Sequence, residues 1–187
     1  MELGFNPGIW YSERAFMDIE KLSIEGLLLV RPTVYQDERG FFLESFKESL
    51  YADLGVRFVQ DNHSCSKEGV IRGMHYQSGE GQAKLVRVVE GKIFDVAFDM
   101  RRGSPTFGQW QGVYLDGQSC HQLFIPAGFA HGFCVVSEKA HVLYKVSTVF
   151  DPQTECGFHY DSVGIQWPVK EPIVSNRDRL APGFVTV

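Results

Sequence analysis

The chain has 187 residues, 44% of them hydrophobic and 22% charged, with a formal net charge of -5. That length suits one domain able to bury roughly 70% of its unfolded surface, and the composition is that of a soluble globular protein. The acidic balance argues against a general nucleic-acid or anionic-membrane surface, while leaving room for a local basic pocket for a phosphorylated ligand.

The longest apolar run, Gly26-Leu27-Leu28-Leu29-Val30, is far too short to span a bilayer. The N-terminus lacks the basic start and long apolar stretch of a secretory signal. Cys65, Cys120, Cys134 and Cys156 are widely spaced, with no CxxC pair. This favours free thiols in a reducing cytoplasm over a zinc knuckle or a disulfide scaffold.

In chain order, residues 1–20 have no regular pattern and read as an N-terminal arm. Residues 21–187 read as a single domain. Residues 26–30 read as a strand, and Pro32-Thr33-Val34-Tyr35 as its edge continuation. Gln36-Asp37-Glu38-Arg39-Gly40 is a turn signal. Residues 44–54 form the one convincing helix, with Phe46, Leu50 and Leu54 at i, i+4 and i+8 and Gly55 as its C-terminal cap. Strands are then expected over residues 85–90 and 93–100, joined in a hairpin at Gly91-Lys92, and over 110–115, 122–125, 132–136 and 142–148. In the second of these, Phe94, Val96, Phe98 and Met100 share one face while Asp95 and Asp99 share the other. Many short strands with frequent turns predict an all-β jelly roll with one short helix. The proline-containing C-terminal part reads as a wrap over it.

Chemistry-bearing groups concentrate in Gln60-Asp61-Asn62-His63 and Gly69-Val70-Ile71-Arg72-Gly73-Met74-His75-Tyr76-Gln77. A stretch built only for packing has no need of so many groups that require partners when buried. In strand register His75 shares a face with Ile71, Gly73 and Gln77, and Arg72 lies on the other. For both to serve one pocket, Gly73 must permit a bulge. A lone histidine is more often structural, but this polar neighbourhood makes His75 a candidate reactive group. Lys84 precedes an apolar run and is either a solvated strand end or an electrophile that stabilises charge on a carbonyl oxygen. Tyr144 reads as a core tyrosine with its hydroxyl at the rim, and Asp178, by itself, as a loop acid.

Pro126-Ala127-Gly128-Phe129-Ala130-His131 resembles the second motif of the cupin superfamily, Pro-x-Gly-x-x-His. Metal-binding cupins carry a His-x-His pair in their first motif, where this chain reads His75-Tyr76-Gln77. His75 and His131 alone fall short of the three ligands a catalytic metal commonly takes, so no metal is expected.

Together the segments resemble one family, the dTDP-4-dehydrorhamnose 3,5-epimerases (RmlC-type). The matching segments include Asp37-Glu38-Arg39-Gly40-Phe41-Phe42-x-Glu44, Phe58-Val59-Gln60-Asp61-Asn62-His63-Ser64, residues 69–77, Lys84-Leu85-Val86-Arg87, residues 125–133, Leu143-Tyr144-Lys145 and Gly164-Ile165-x-Trp167-Pro168. The resemblance runs in order from about residue 25 to residue 182. It implies a cupin-type jelly roll that epimerises nucleotide-linked 4-keto-6-deoxyhexoses, needs no metal or other cofactor, and forms a homodimer. It also implies His75 as base oriented by Asp178, Tyr144 as acid on the opposite face, and Lys84 as support for the enolate. Arg39, Glu44, Gln60, Asp61, Asn62, Arg72, His131, Glu155 and Arg177 are implied as substrate-binding residues, with Arg72 facing the diphosphate.

These residue types suit the chemistry. A C4 ketone acidifies the hydrogens on C3 and C5, and an imidazole of ordinary pKa about 6.5 can remove them near neutrality. The chain departs from the family at Phe150, where many members carry a second tyrosine linked to the second epimerisation. Inversion of one centre only, on a dTDP- or other nucleotide-linked sugar, is the alternative reading. A non-catalytic sugar-nucleotide-binding cupin is a third, opposed by the joint presence of a base and a separate acid.

Overall fold

The computed structural model describes residues 17–185, apart from the side chains of Leu50 and Asp53. Most of the expected N-terminal arm, residues 1–16, lies outside the described residues. In chain order the strands are β1 (Met17–Lys21), β2 (Leu28–Pro32), β3 (Tyr35–Asp37), β4 (Gly40–Phe42), β5 (Gln60–Lys67), β6 (Ile71–Gln77) and β7 (Lys84–Glu90). They continue with β8 (Lys92–Asp99), β9 (Trp110–Asp116), β10 (Gln122–Ile125), β11 (Phe129–Val135), β12 (Lys139–Val146) and β13 (Glu155–Gly157). Two short helices are α1 (Glu48–Tyr51) and α2 (Asn176–Arg179). The end of the expected arm is thus an ordered strand, β1, paired antiparallel with β2.

Two antiparallel sheets face one another. One has six strands in the order β1-β2-β10-β7-β12-β5, the other five in the order β13-β6-β11-β8-β9. This is the jelly-roll arrangement that the many short strands and frequent turns predict. Alternation sorts the core into three apolar layers. Val86, Val88, Ile93, Ala97, Leu123, Phe133 and Val142 fill the space between the sheets. Leu28, Val30, Leu85 and Phe124 face outward from the six-stranded sheet and are covered by Phe46, Tyr51, Leu54 and Phe58. Val96 and Phe98 face outward from the five-stranded sheet, where Phe158, Ile165, Trp167 and Phe184 of the C-terminal wrap cover them.

Three local expectations are corrected. The helix over residues 44–54 contracts to α1 plus a 3-10 turn at Ala52–Leu54. The Ser45 carbonyl oxygen accepts from Gln122 Nε2 of the sheet at 2.9 Å, and Lys47 is extended at φ −146°, so no helix starts before Glu48. Gly55 does cap the turn, its N–H donating to the Ala52 carbonyl oxygen. Of the apolar stripe, Phe46 and Leu54 pack as expected, while the Leu50 side chain lies outside the described residues. The edge continuation over residues 32–35 divides, Pro32 ending β2 and Tyr35 opening a separate hairpin of β3 and β4.

The third correction concerns Gly91-Lys92. The turn does not join a hairpin but carries the chain from β7 in one sheet to β8 in the other. Gly91 has φ +84°, and a Cβ there would lie 2.0 Å from the Lys139 carbonyl oxygen. Close packing of the crossing, rather than strand pairing, requires this glycine.

Gly73 positions the site. Its φ is +133°, and a Cβ would sit 2.6 Å from Gly132 Cα and 2.9 Å from the His131 carbonyl oxygen. The register of β6 against β11 shifts between His131 and Phe133, opposite this point. That irregularity lets Arg72 and His75, three residues apart, line one cavity. Gly73→Ala is therefore expected to destabilise the fold by about 3 kcal/mol, read as a lowered midpoint of chemical denaturation.

Candidate active site

A cavity of about 550 Å³ opens between the sheets, within the size range of small-molecule sites. The six-stranded sheet contributes Ser64, Lys84 and Tyr144, and the five-stranded sheet contributes Arg72, His75 and His131. The wrap closes one side with Arg177 and Asp178.

Asp178 arrives through a chain of local constraints. Ile173 exchanges backbone hydrogen bonds with the turn before β6, donating to Gly69 and accepting from Ile71. Ser175 then caps α2, its Oγ accepting from the Asp178 N–H at 3.0 Å. The carboxylate lands against β6, with Oδ1 2.7 Å from His75 Nε2. Burial would raise the Asp178 pKa, but the hydrogen bond and charge of His75, with further bonds from Gly73 and Ser175, hold it below the ordinary value. An ionised Asp178 can only accept, so Nε2 carries the proton and His75 Nδ1 keeps its lone pair as a base. The loop acid of the sequence is thus a buried partner of the histidine.

His131 and Lys84 are both buried, at 6% and 8% exposure. His131 Nε2 lies 3.0 Å from both carboxylate oxygens of Asp95 on β8. Burial lowers the His131 pKa, and Asp95 opposes this only in part while Lys84 and His75 add to it. Lys84 shares the inner face of β7 with Val86 and Val88. Its burial lowers the ammonium pKa from 10.5 to about 8, with Asp95 and Glu155 resisting the shift. At neutral pH it remains a cation held away from bulk water. Of the two sequence readings of Lys84, the solvated strand end is excluded.

Tyr144 lies on the inner face of β12, in the wall opposite His75. Burial raises its pKa, Arg72 lowers it and Glu155 raises it, so the phenol stays protonated near neutrality. Arg72 donates through Nε to Ser66 Oγ at 2.9 Å. Arg177 Nη1 and Glu155 Oε2 form an ion pair at 2.5 Å, and both residues line the cavity. A base, a protonated acid on the facing wall and a buried cation suit proton removal beside a carbonyl group, with charge developing on oxygen. Among the described residues, no three His, Cys, Asp or Glu side chains are placed to hold a metal ion.

The cavity brings together eight of the thirteen residues expected in the site: His75, Lys84, Tyr144, Asp178, Arg72, His131, Glu155 and Arg177. The other five do not line it in the single chain. Asp61 points to the outer face of β5, where its carboxylate pairs with Lys145 at 2.8 Å. Gln60 and Asn62 lie on the opposite face of that strand and bond to each other at 2.8 Å. Arg39 is in the exposed β3–β4 turn, paired with Asp37, and Glu44 precedes α1. Asp95 and Ser66 were not singled out from the sequence. Asp95 appeared only in the alternation of β8, as part of what reads as a polar face.

The sequence profile of the family described as dTDP-4-dehydrorhamnose 3,5-epimerase matches residues 21–185. A dTDP-4-dehydrorhamnose 3,5-epimerase of Shigella flexneri is 46% identical over 175 residues, covering 90% of this chain and 97% of that protein. A dTDP-4-dehydrorhamnose 3-epimerase of Streptomyces niveus is 40% identical, covering 87% and 82%. The crystal structure of an epimerase from Legionella pneumophila Philadelphia 1, in complex with dTDP-4-keto-L-rhamnose, is 47% identical and superposes with a TM-score of 0.86, covering 89% of this chain and 92% of that one. Sequence, fold and the acid–base character of the cavity agree, and this chain belongs to the dTDP-4-dehydrorhamnose 3,5-epimerase family.

Proposed function

We propose that the chain inverts both C3 and C5 of dTDP-4-keto-6-deoxyglucose, giving dTDP-4-dehydrorhamnose. The reading rests on the His75–Asp178 pair facing a protonated Tyr144 across a cavity that also holds a buried ammonium. His75 Nδ1 removes the proton next to the C4 ketone, and Asp178 stabilises the imidazolium that forms. Lys84 holds the enolate oxygen, and Tyr144 returns a proton to the other face of the carbon. The Arg72 fork suits the diphosphate. His131 and the Arg177–Glu155 pair contact the sugar. No metal or organic cofactor takes part.

The test is proton NMR of the product formed in deuterated water. Solvent deuterium is expected at both C3 and C5. Incorporation at one centre alone would leave the site standing and sink double inversion. That alternative draws on Phe150, which is 48% exposed, does not line the cavity and donates its backbone N–H to Gln60 Oε1.

The active species is a homodimer in the cytoplasm. Arg39, Phe41 and Phe42 sit on an exposed hairpin outside their own cavity, so they are available to complete the mouth of a partner's site. Arg39→Ala is accordingly expected to raise KM several-fold while leaving the stability of the separated chain unchanged. Kinetics beside thermal denaturation would read both.

A further inference from the structure

We infer that Ser66 is a positioning residue that sets the guanidinium plane of Arg72 for a diphosphate. The inference rests on the reading above, in which Arg72 faces that group. Ser66 is the last inner-facing residue of β5 and Arg72 is the second residue of β6, so the two flank one turn. Ser66 is 7% exposed and its Oγ accepts from Arg72 Nε at 2.9 Å. The main chain that carries the hydroxyl is held in the β5–β12 ladder, where Ser66 is paired with Ala140.

Among the described residues, no carboxylate lies within ion-pairing distance of Arg72, unlike Arg177 with Glu155. A guanidinium has five N–H donors in one plane. Taking Nε–H with a buried serine fixes the rotation of that plane and leaves the Nη end for two phosphate oxygens. A carboxylate in the serine's place would hold the fork as firmly but would cancel the charge that an anion needs. A neutral acceptor orients the cation without neutralising it. A serine is the smallest side chain that does this inside a strand pair.

The experiment is calorimetric titration of dTDP into the full-length protein, its Ser66→Ala, Ser66→Thr and Arg72→Lys variants, and the Ser66→Ala/Arg72→Lys double variant. Ser66→Ala is expected to weaken dTDP about tenfold, the effect of one charge-assisted hydrogen bond. KM should rise in parallel, with kcat held within about twofold. Thymidine, which has no diphosphate, should bind the variant as it binds the parent. Ser66→Thr keeps the hydroxyl and should restore affinity. Lysine has no Nε–H, so adding Ser66→Ala to Arg72→Lys should cost nothing more. Unchanged dTDP affinity in Ser66→Ala, or losses that multiply in the double variant, would overturn the positioning role. Unchanged affinity in Arg72→Lys would instead overturn Arg72 as the diphosphate ligand, and the inference with it.

Discussion

His75→Ala is expected to lower kcat by about 10³-fold or more while leaving the protein folded. With His75 as the proposed base, the magnitude lies in the upper part of the range for general acid–base catalysis, because among the described cavity residues no second free imidazole stands ready to replace it. His131 is the nearest imidazole in sequence register, directly opposite His75 in the β6–β11 pairing. Its Nε2 is already committed to Asp95, and burial lowers its basicity. Folding should survive, since the His75 side chain is 29% exposed and the alanine leaves the strand pairing intact. Asp178→Asn should be milder than His75→Ala. It keeps a partner for the ring but no longer stabilises the imidazolium or enforces the tautomer. Steady-state kinetics, with circular dichroism to verify folding, would check both. A near-normal rate for His75→Ala would mean that another group is the base.

Lys84→Met should cost about 10²–10³-fold in kcat, the usual loss when one donor to a developing oxyanion is removed. Methionine fills much of the same volume and removes a cation that is costly to bury, so stability should not fall. The same lysine predicts a pH limb. In the proposed mechanism only the cation can hold the enolate oxygen, and burial brings its pKa down from 10.5 to about 8. The working form is therefore present below about pH 8 and lost as pH rises through that value. In the parent enzyme kcat/KM, which reports free-enzyme groups, should decline above about pH 8. In Lys84→Met the low residual activity should lack that decline. An alkaline limb that persists unchanged in the variant would assign it to a different residue.

Much of this site was legible because strands expose their pattern. Phe94, Val96 and Phe98 share one face of β8, as their spacing in the sequence places them. What alternation does not say is which face is inward. On β8 the face bearing Asp95 and Asp99 is the interior one, and both carboxylates have 0% exposure. Asp95 went unnoticed for that reason, since its role depends on His131 reaching it from β11. Ser66 was hidden in the same way, as its importance comes from Arg72 across a turn. The strand pattern also could not separate Asp61 from its neighbours Gln60 and Asn62 until the direction of β5 was known. The overlong helix had a different cause. The spacing of Phe46 and Leu54 is real, but Gln122 claims the Ser45 carbonyl and stops the helix short. For Asp178 the residues alone gave only a solvated loop acid. Family resemblance supplied the role, and the wrap supplies the contact.

The central claim is that base and acid stand on opposite walls of one cavity, His75 on β6 and Tyr144 on β12. Tyr144→Phe separates them, because it leaves proton removal intact and deletes only the donor on the far face. The direct measurement is NMR of dTDP-4-keto-6-deoxyglucose incubated with this variant in deuterated water. The predicted result is deuterium exchange at the acidic carbons with retained configuration, as His75 returns a solvent-derived proton to the face from which it took one. Inversion at a rate close to that of the parent enzyme would contradict the two-wall mechanism.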